Sequence, residues 1–303
     1  MVVPDKPAAE VVIDERLVRQ LLREQADAVV PGLSQREIVP IAEGWDNAVW
    51  RAGDLLVRLP RREAAAQLIR HEQRTLPEIG PDIEACGVRV PTPLVIGHPD
   101  ATFGWPWSVV PWIGGERGME VPHATRAGWV PRLAAALRAL HRPAPANAPV
   151  NPVRGRPLAT RDAAVRERLA ALAGRVDDAT RRTLVDAWDA GITAAPWPGP
   201  AVWIHGDLYP GNLVADGDTL TGIIDFGDVT AGDPAYDLSI AWTGFDQAGR
   251  AALQASLDGV YDDATWTRAR GWAASIATLL IVHSDDNPDY AALGHEAARE
   301  ITR

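Results

Sequence analysis

Residues 203–238 read WIHGDLYPGNLVADGDTLTGIIDFGDVTAGDPAYDL, and no other stretch constrains the chain as much. Short apolar runs at 201–204, 213–214 and 220–224 alternate with Gly, Pro, Asp and Asn clusters. That pattern predicts brief strands presenting polar residues at their ends. His205-Gly206-Asp207 is followed by Asn212, giving H-x-D-x-x-x-x-N with Asp and Asn five positions apart; Asp225-Phe226-Gly227 begins thirteen positions beyond Asn212. Transfer of a γ-phosphoryl group asks little covalent chemistry of a protein. It needs Mg²⁺ to neutralise developing charge and a carboxylate to orient the attacking hydroxyl. Asp207 is the candidate for that carboxylate, and Asn212 and Asp225 are the candidates to hold the metal. Singly, these residues read as an Asx-turn, a turn residue after Pro210-Gly211 and a strand cap; in order and at this spacing they favour the site.

The two motifs resemble the catalytic-loop and metal-binding signature of protein kinases, with Gly206 where those have Arg. HGDLYPGNL, IIDFGD and GDPAYDLS are more closely similar to the aminoglycoside phosphotransferase family of antibiotic and metabolite kinases. GWDNAVWRAGDLLVRLPRR resembles the first hairpins of that family's macrolide-phosphotransferase branch, so the similarity covers residues 43–242. The resemblance implies an α+β, bilobal protein-kinase-like fold. A small strand-rich nucleotide-binding lobe with a leading helix would occupy residues 1–112. A larger, mainly helical lobe with the catalytic loop and substrate site would occupy 113–303. It also implies ATP or GTP as donor, Mg²⁺ as cofactor and a small-molecule hydroxyl as acceptor. Only a dozen residues separate Asp225 from Asp237, too few for a long activation segment. His205 reads as scaffold, and Asp233 and Asp237 as a helix cap and a brace for the catalytic loop.

The nucleotide-binding candidates lie earlier. Protein kinases hold the α- and β-phosphates with a strand lysine paired to a helix glutamate. Here Lys6 is the single lysine among 30 basic residues and sits at the N-terminus. Arg58 stands in register for the role and Glu72, fourteen residues on, is its expected partner; a guanidinium can grip both phosphate and carboxylate. The bland alternative is a surface ion pair. Arg61 and Arg62 read as solvated. Gly44 and Asn47, in Glu43-Gly44-Trp45-Asp46-Asn47, stand where a phosphate loop is expected, although no G-x-G-x-x-G or Walker sequence occurs. Val110 and Trp112 lie on the crossing strand where hinge contacts to the nucleotide base would be made.

Helical spacing of Leu17, Leu21 and Leu22 after Asp14 predicts a helix over 14–30. Strands are expected at 48–51 and 55–59 around Gly53-Asp54, and at 90–96 and 107–112. A helix over 63–78 should end before Gly80-Pro81. After Pro131 the pattern turns helical, with a Pro/Ala/Asn-rich link up to Pro157, helices over 162–175 and 178–192, and more helix from Asp233 onward.

A net charge of −10 argues against nucleic acid and anionic membrane as partners and is compatible with a cationic small substrate. Asp228, Asp285 and Asp286 are the candidate carboxylates for substrate ammonium groups; the plain reading of 283–289 is a helix exit followed by a new helix at Asn287-Pro288. Cys86 is the one cysteine, expected as a buried, inert thiol. The N-terminus lacks an apolar export segment and the longest apolar stretch, 273–282, is too short to span a bilayer, which predicts a cytoplasmic protein. Among acceptors an aminoglycoside is favoured over a macrolide 2'-hydroxyl or a metabolite such as an amino alcohol or sugar. A nucleotide-binding pseudokinase is the rival from outside enzymes, and oligomeric state leaves no trace in the sequence.

Overall fold

The computed structural model describes residues 7–303, so Lys6 lies outside the described residues. Asp14 caps helix α1 (Glu15–Leu21) by accepting from the Leu17 amide at 2.8 Å. The helix widens into a π-turn at Leu22–Ala26 and stops short of the expected residue 30. There the Asp27 carboxylate takes the Ser34 amide and hydroxyl, at 2.8 and 2.5 Å, and turns the chain.

Five strands come next, β1 (Val39–Glu43), β2 (Asn47–Ala52), β3 (Leu55–Pro60), β4 (Val95–Gly97) and β5 (Trp107–Pro111), separated after β3 by helix α2 (Glu63–Glu84). They form one antiparallel sheet in the order β1-β2-β3-β5-β4. Its inner face, with Val57, Leu59, Trp107 and Val109, packs on Val18, Leu21 and Leu22 in a core of its own. The strand expected from residue 90 starts only at Val95, because Pro91 and Pro93 have no amide to give a ladder. Arg89 pairs instead with the C-terminal half of the chain, its amide donating to Thr221 and its carbonyl accepting from Ile223.

Helix α2 overruns its expected end, passing through Pro77 and Pro81 to Glu84. Each interior proline removes a helical hydrogen bond at ~3 kcal/mol. Burying Leu76, Ile79 and Ile83, all fully inaccessible, offsets that cost at ~1.5–3 kcal/mol per side chain. These three belong to the larger core, shared with the C-terminal part of the chain.

That part comprises β6 (Glu116–Arg117), α3 (Val130–Leu140), α4 (Asp162–Ala171), α5 (Asp178–Thr193), β7 (Val202–Ile204), β8 (Leu213–Asp216), β9 (Thr219–Ile223) and β10 (Thr230–Gly232). Then come α6 (Ala235–Leu238), α7 (Ile240–Thr243), α8 (Gln247–Ser256), α9 (Asp263–His283) and α10 (Pro288–Thr302). Strands β6-β8-β9 and β7-β10 make two small antiparallel sheets that carry the site. Asp177, Asp246, Asp262 and Asn287 cap α5, α8, α9 and α10 through their side chains, each worth ~1 kcal/mol. Helices α5 and α9 approach backbone to backbone at Gly191 and Gly271, where an added Cβ would lie 3.0–3.1 Å from the facing Cα. Cys86 is only half-buried and its thiol donates to the Asp82 carbonyl. Among the described residues no helix is long and apolar enough to cross a membrane.

Candidate active site

Strand β7 delivers the chain to His205, and a buried carboxylate fixes the loop beyond the strand. Asp237, at the end of the GDPAYDL run, accepts from the His205 amide at 2.6 Å and the Gly206 amide at 3.0 Å. His141 contacts the same carboxylate through Nε2 at 3.1 Å. Burial alone would raise the Asp237 pKa, but the His141 contact and the backbone amides hold it below the usual carboxylate range. Asp233 accepts from the Ala235 amide and pairs with Arg268 at 2.6 Å.

Gly206 has φ +81°, and a Cβ there would meet the Asp228 carbonyl at 2.5 Å. The glycine that replaces the kinase arginine is therefore required by its own backbone and by the segment crossing over it. The His205 ring donates from Nε2 to the Ile224 carbonyl at 2.9 Å and accepts at Nδ1 from the Asp207 amide at 3.2 Å. Both nitrogens are engaged in backbone contacts, with the ring 4.5 Å from that of Phe226.

Asp207 lies just beyond. Asn212 turns its Nδ2 to the Asp207 carbonyl at 2.8 Å and to Asp207 Oδ2 at 3.1 Å, which points its amide oxygen the other way. Asp225 has φ +65° and ψ +63°, the one described non-glycine residue in the left-handed region. Such a backbone costs on the order of 1–3 kcal/mol and characteristically persists at sites where a side chain must be aimed. Its half-exposed carboxylate reaches Arg58 Nη2 at 3.4 Å, and Arg58 Nη1 donates to Glu72 Oε2 at 2.6 Å. Arg58 sits on β3 opposite Ser108 of β5 and is 8% exposed. Burial opposes its charge, but Glu72 and Asp225 outweigh that and hold its pKa above the ordinary guanidinium value.

Four carboxylates share this space. Burial raises the Asp207 pKa, Arg154 pulls it down, and Asp228 and Asp225 push it up again. Burial likewise raises that of Asp46, with Asp225 and Asp228 adding to the shift. The donor set fits Mg²⁺. The ion prefers hard oxygens, commonly takes only one or two protein ligands, and completes its octahedron with phosphate oxygens and water. The Asp225 carboxylate and the outward-turned oxygen of Asn212 are hard oxygen donors of that kind, two in number.

The remaining expected residues are spread over both parts of the fold. Gly44 donates its amide to the Asn47 carbonyl at 2.8 Å inside the β1–β2 turn. Asn47 is buried at the start of β2 with its side-chain oxygen unpartnered. Val110 is buried, paired with Leu56, and Trp112 donates its amide to Asp54 and carries Arg51 over its ring at 4.7 Å. Arg61 and Arg62 are not solvated: Arg61 is buried and donates to the Gly44 carbonyl, and Arg62 pairs with Asp46 at 2.6 Å. Both brace the turn before β2, a tertiary contact that local polarity does not foretell. Asp228 shares Arg154 with Asp207, while Asp285 is held by Arg175 at 2.8 Å in the turn after α9 and Asp286 is exposed in the same turn.

Two residues escaped the sequence reading. Arg154 reaches Asp207 Oδ1 at 2.9 Å and Asp228 Oδ2 at 3.5 Å from the link read as a simple connector. His71 donates from Nδ1 to the Gly227 carbonyl at 3.3 Å and accepts from Gln67 at Nε2. The only hint of the first was Asn151-Pro152, an Asx-turn signal; for the second, its place one residue before Glu72. A cavity of about 250 Å³ opens nearby, lined in part by Met119, Glu120, Arg126, Asp289, Tyr290 and Glu296. Tyr290 ties it to the catalytic loop through a 3.0 Å hydroxyl contact with Tyr209.

Comparison with known proteins agrees with this fold. The fold is similar to the GDP complex of aminoglycoside 2'-phosphotransferase-IIIa, with TM-score 0.64, 19% identity and coverage of 94% of this chain and 98% of that one. It is also similar to a GDP and kanamycin complex of an APH(2") enzyme, with TM-score 0.64, 20% identity and coverage of 92% and 97%. A third likeness is the apoenzyme of macrolide 2'-phosphotransferase MphH from Brachybacterium faecium, with TM-score 0.58, 20% identity and coverage of 94% and 97%. The family model described as the phosphotransferase enzyme family, APH, matches residues 37–272, most of the chain, and this protein belongs to that family.

Proposed function

We propose that this phosphotransferase moves the γ-phosphoryl group of ATP or GTP to a hydroxyl of a small molecule, an aminoglycoside antibiotic before other acceptors, in the cytoplasm. The observation that carries the reading is the Asp207 carboxylate, with Asn212 on one oxygen and the Asp225 carboxylate entering the same space. Asp207 receives and orients the acceptor hydroxyl and takes up its proton as the oxygen attacks phosphorus. Asn212 and Asp225 would hold Mg²⁺, which when bound neutralises charge on the phosphates. Arg58, kept in place by Glu72, faces the α- and β-phosphates, and the turn at Gly44 to Asn47 closes over them. Val110 and Trp112 border the nucleotide base. The small sheet with its leading helix serves the nucleotide and the remainder the acceptor, divided near residue 112.

The related folds include complexes with kanamycin, gentamicin and streptomycin, and with GDP, ADP or ATP, which supports a nucleotide donor and an amine-rich acceptor. Carboxylates outnumber guanidinium groups in the cavity beside Tyr290, in keeping with a cationic guest. A macrolide 2'-hydroxyl is the second reading, favoured by the likeness to macrolide phosphotransferases. The test is turnover by the purified chain with ATP and GTP against both antibiotic classes. Asp207→Ala is expected to lower kcat by ~10²–10⁴-fold with nucleotide affinity retained. For a polycation KM should rise steeply with salt, because exposed charge pairs are screened over ~8–10 Å; turnover of macrolides alone would sink the aminoglycoside reading.

A further inference from the structure

We propose that Arg154 is the positioning residue of the acceptor side, fixing the Asp207 carboxylate in the orientation that receives the hydroxyl. The proposal rests on the phosphotransfer function and deepens it. A carboxylate on a loop turns freely about two bonds unless both of its oxygens are held. Asn212 holds Oδ2 at 3.1 Å, and Arg154 Nη2 holds Oδ1 at 2.9 Å. If Asn212 alone anchored the carboxylate, it would pivot about that one contact.

Arg154 can serve as an anchor because it is itself immobilised on every side. Its Nε faces Asp228 Oδ2 at 3.5 Å, its Nη1 donates to the Tyr236 hydroxyl, and its guanidinium lies over the Tyr236 ring at 5.4 Å. Its backbone is fixed as well: the Asn151 side-chain oxygen accepts from the Val153 and Arg154 amides, both at 2.9 Å. Asn151 Nδ2 then donates to Asp228 Oδ1 at 2.6 Å, closing a ring of contacts. Asp228 stands directly after Asp225-Phe226-Gly227, so the ring joins the segment expected to hold the metal to the loop expected to hold the acceptor. A planar guanidinium bridges two carboxylates that would otherwise repel each other; an ammonium offers one point of contact and cannot reproduce the fork. Asp228 therefore acts as the anchor of Arg154 and not as a ligand for substrate ammonium groups.

The experiment compares wild type, Arg154→Ala, Arg154→Lys and Asp207→Ala, using whichever donor and antibiotic the wild type turns over. Misplacing a reacting group by about 1 Å can cost ~10²-fold, so Arg154→Ala is expected to lose ~10²-fold in kcat, with Mg·nucleotide affinity by calorimetry unchanged within ~2-fold. Added guanidinium chloride at low millimolar concentration should recover part of kcat in Arg154→Ala and none in Asp207→Ala. Arg154→Lys should fold and fall between the two, and it decides the matter if the alanine variant does not fold. Arg154→Ala within ~3-fold of wild-type kcat overturns the proposal. So does a folded Arg154→Lys at wild-type kcat, or a kcat loss matched by lost nucleotide affinity without guanidinium recovery. A wild-type chain that phosphorylates no acceptor overturns the phosphotransfer reading itself, a different outcome from an active enzyme indifferent to Arg154.

Discussion

Asp237 touches neither nucleotide nor acceptor in the proposed reaction, yet the catalytic loop hangs on it. Replacing it with alanine strands the His205 and Gly206 amides and the His141 ring nitrogen, all now paired with a carboxylate that is fully buried. A buried donor left without a partner costs ~1–3 kcal/mol. Two such amides alone make a loss of about 2–6 kcal/mol, a large part of the ~5–15 kcal/mol that holds a typical domain folded. Asp237→Asn keeps one acceptor oxygen and sets an NH₂ group against the other donor, so it should lose about half as much. The assay is urea unfolding followed by tryptophan fluorescence, with turnover measured on whatever folds. Because the folded-state pKa of Asp237 is depressed, its contribution is complete above the unfolded value of ~3.9 and disappears as pH falls through the folded one. The gap in stability between wild type and Asp237→Asn should therefore be full at pH 7 and shrink in acid, below about pH 4. Both variants within ~0.5 kcal/mol of wild type at pH 7 would refute the reasoning.

Gly206→Ala should cost ~1–2 kcal/mol from the left-handed backbone alone, plus a displaced Asp228 carbonyl, and should lower kcat; thermal melting and turnover equal to wild type would contradict this. Asp225→Ala should weaken Mg²⁺-dependent nucleotide binding, and calorimetry with and without the metal reads the difference directly. Arg58→Ala should destabilise by ~3–5 kcal/mol, since it leaves the buried Glu72 carboxylate without its ion pair, and Glu72→Ala by less, since Arg58 keeps Asp225; the double variant should lose much less than the sum, and simple additivity would dissolve the pair.

The parts of this molecule that could be read from the sequence are those set by local rules. Turn chemistry and short apolar runs placed β7 to β9 around His205, Asp207 and Asn212; the match of Arg58 to Glu72 came from the resemblance to kinases, which pair a strand cation with a helix glutamate. Where contacts cross long separations, local rules gave no purchase. Arg154 meets Asp207 across 53 positions, from a proline-rich link that has no periodicity of its own. Arg61 and Arg62 look like any exposed basic pair until the Gly44 to Asp46 turn folds over them. The prolines of α2 read as a stop because the sequence does not show the core waiting on the far side.

That long helix bears on how such an enzyme can be governed. In protein kinases the strand–helix ion pair is made and broken as the helix swings, and activity follows it. Here Glu72 rides on a rod pinned at every level: His71 to Gly227, Arg74 to the Asn147 carbonyl, Glu78 to Arg142, and Leu76, Ile79 and Ile83 sunk in the main core. Withdrawing Glu72 would mean tearing that core open. The packing that holds this helix therefore holds the ion pair as well, and moving the one would cost the other.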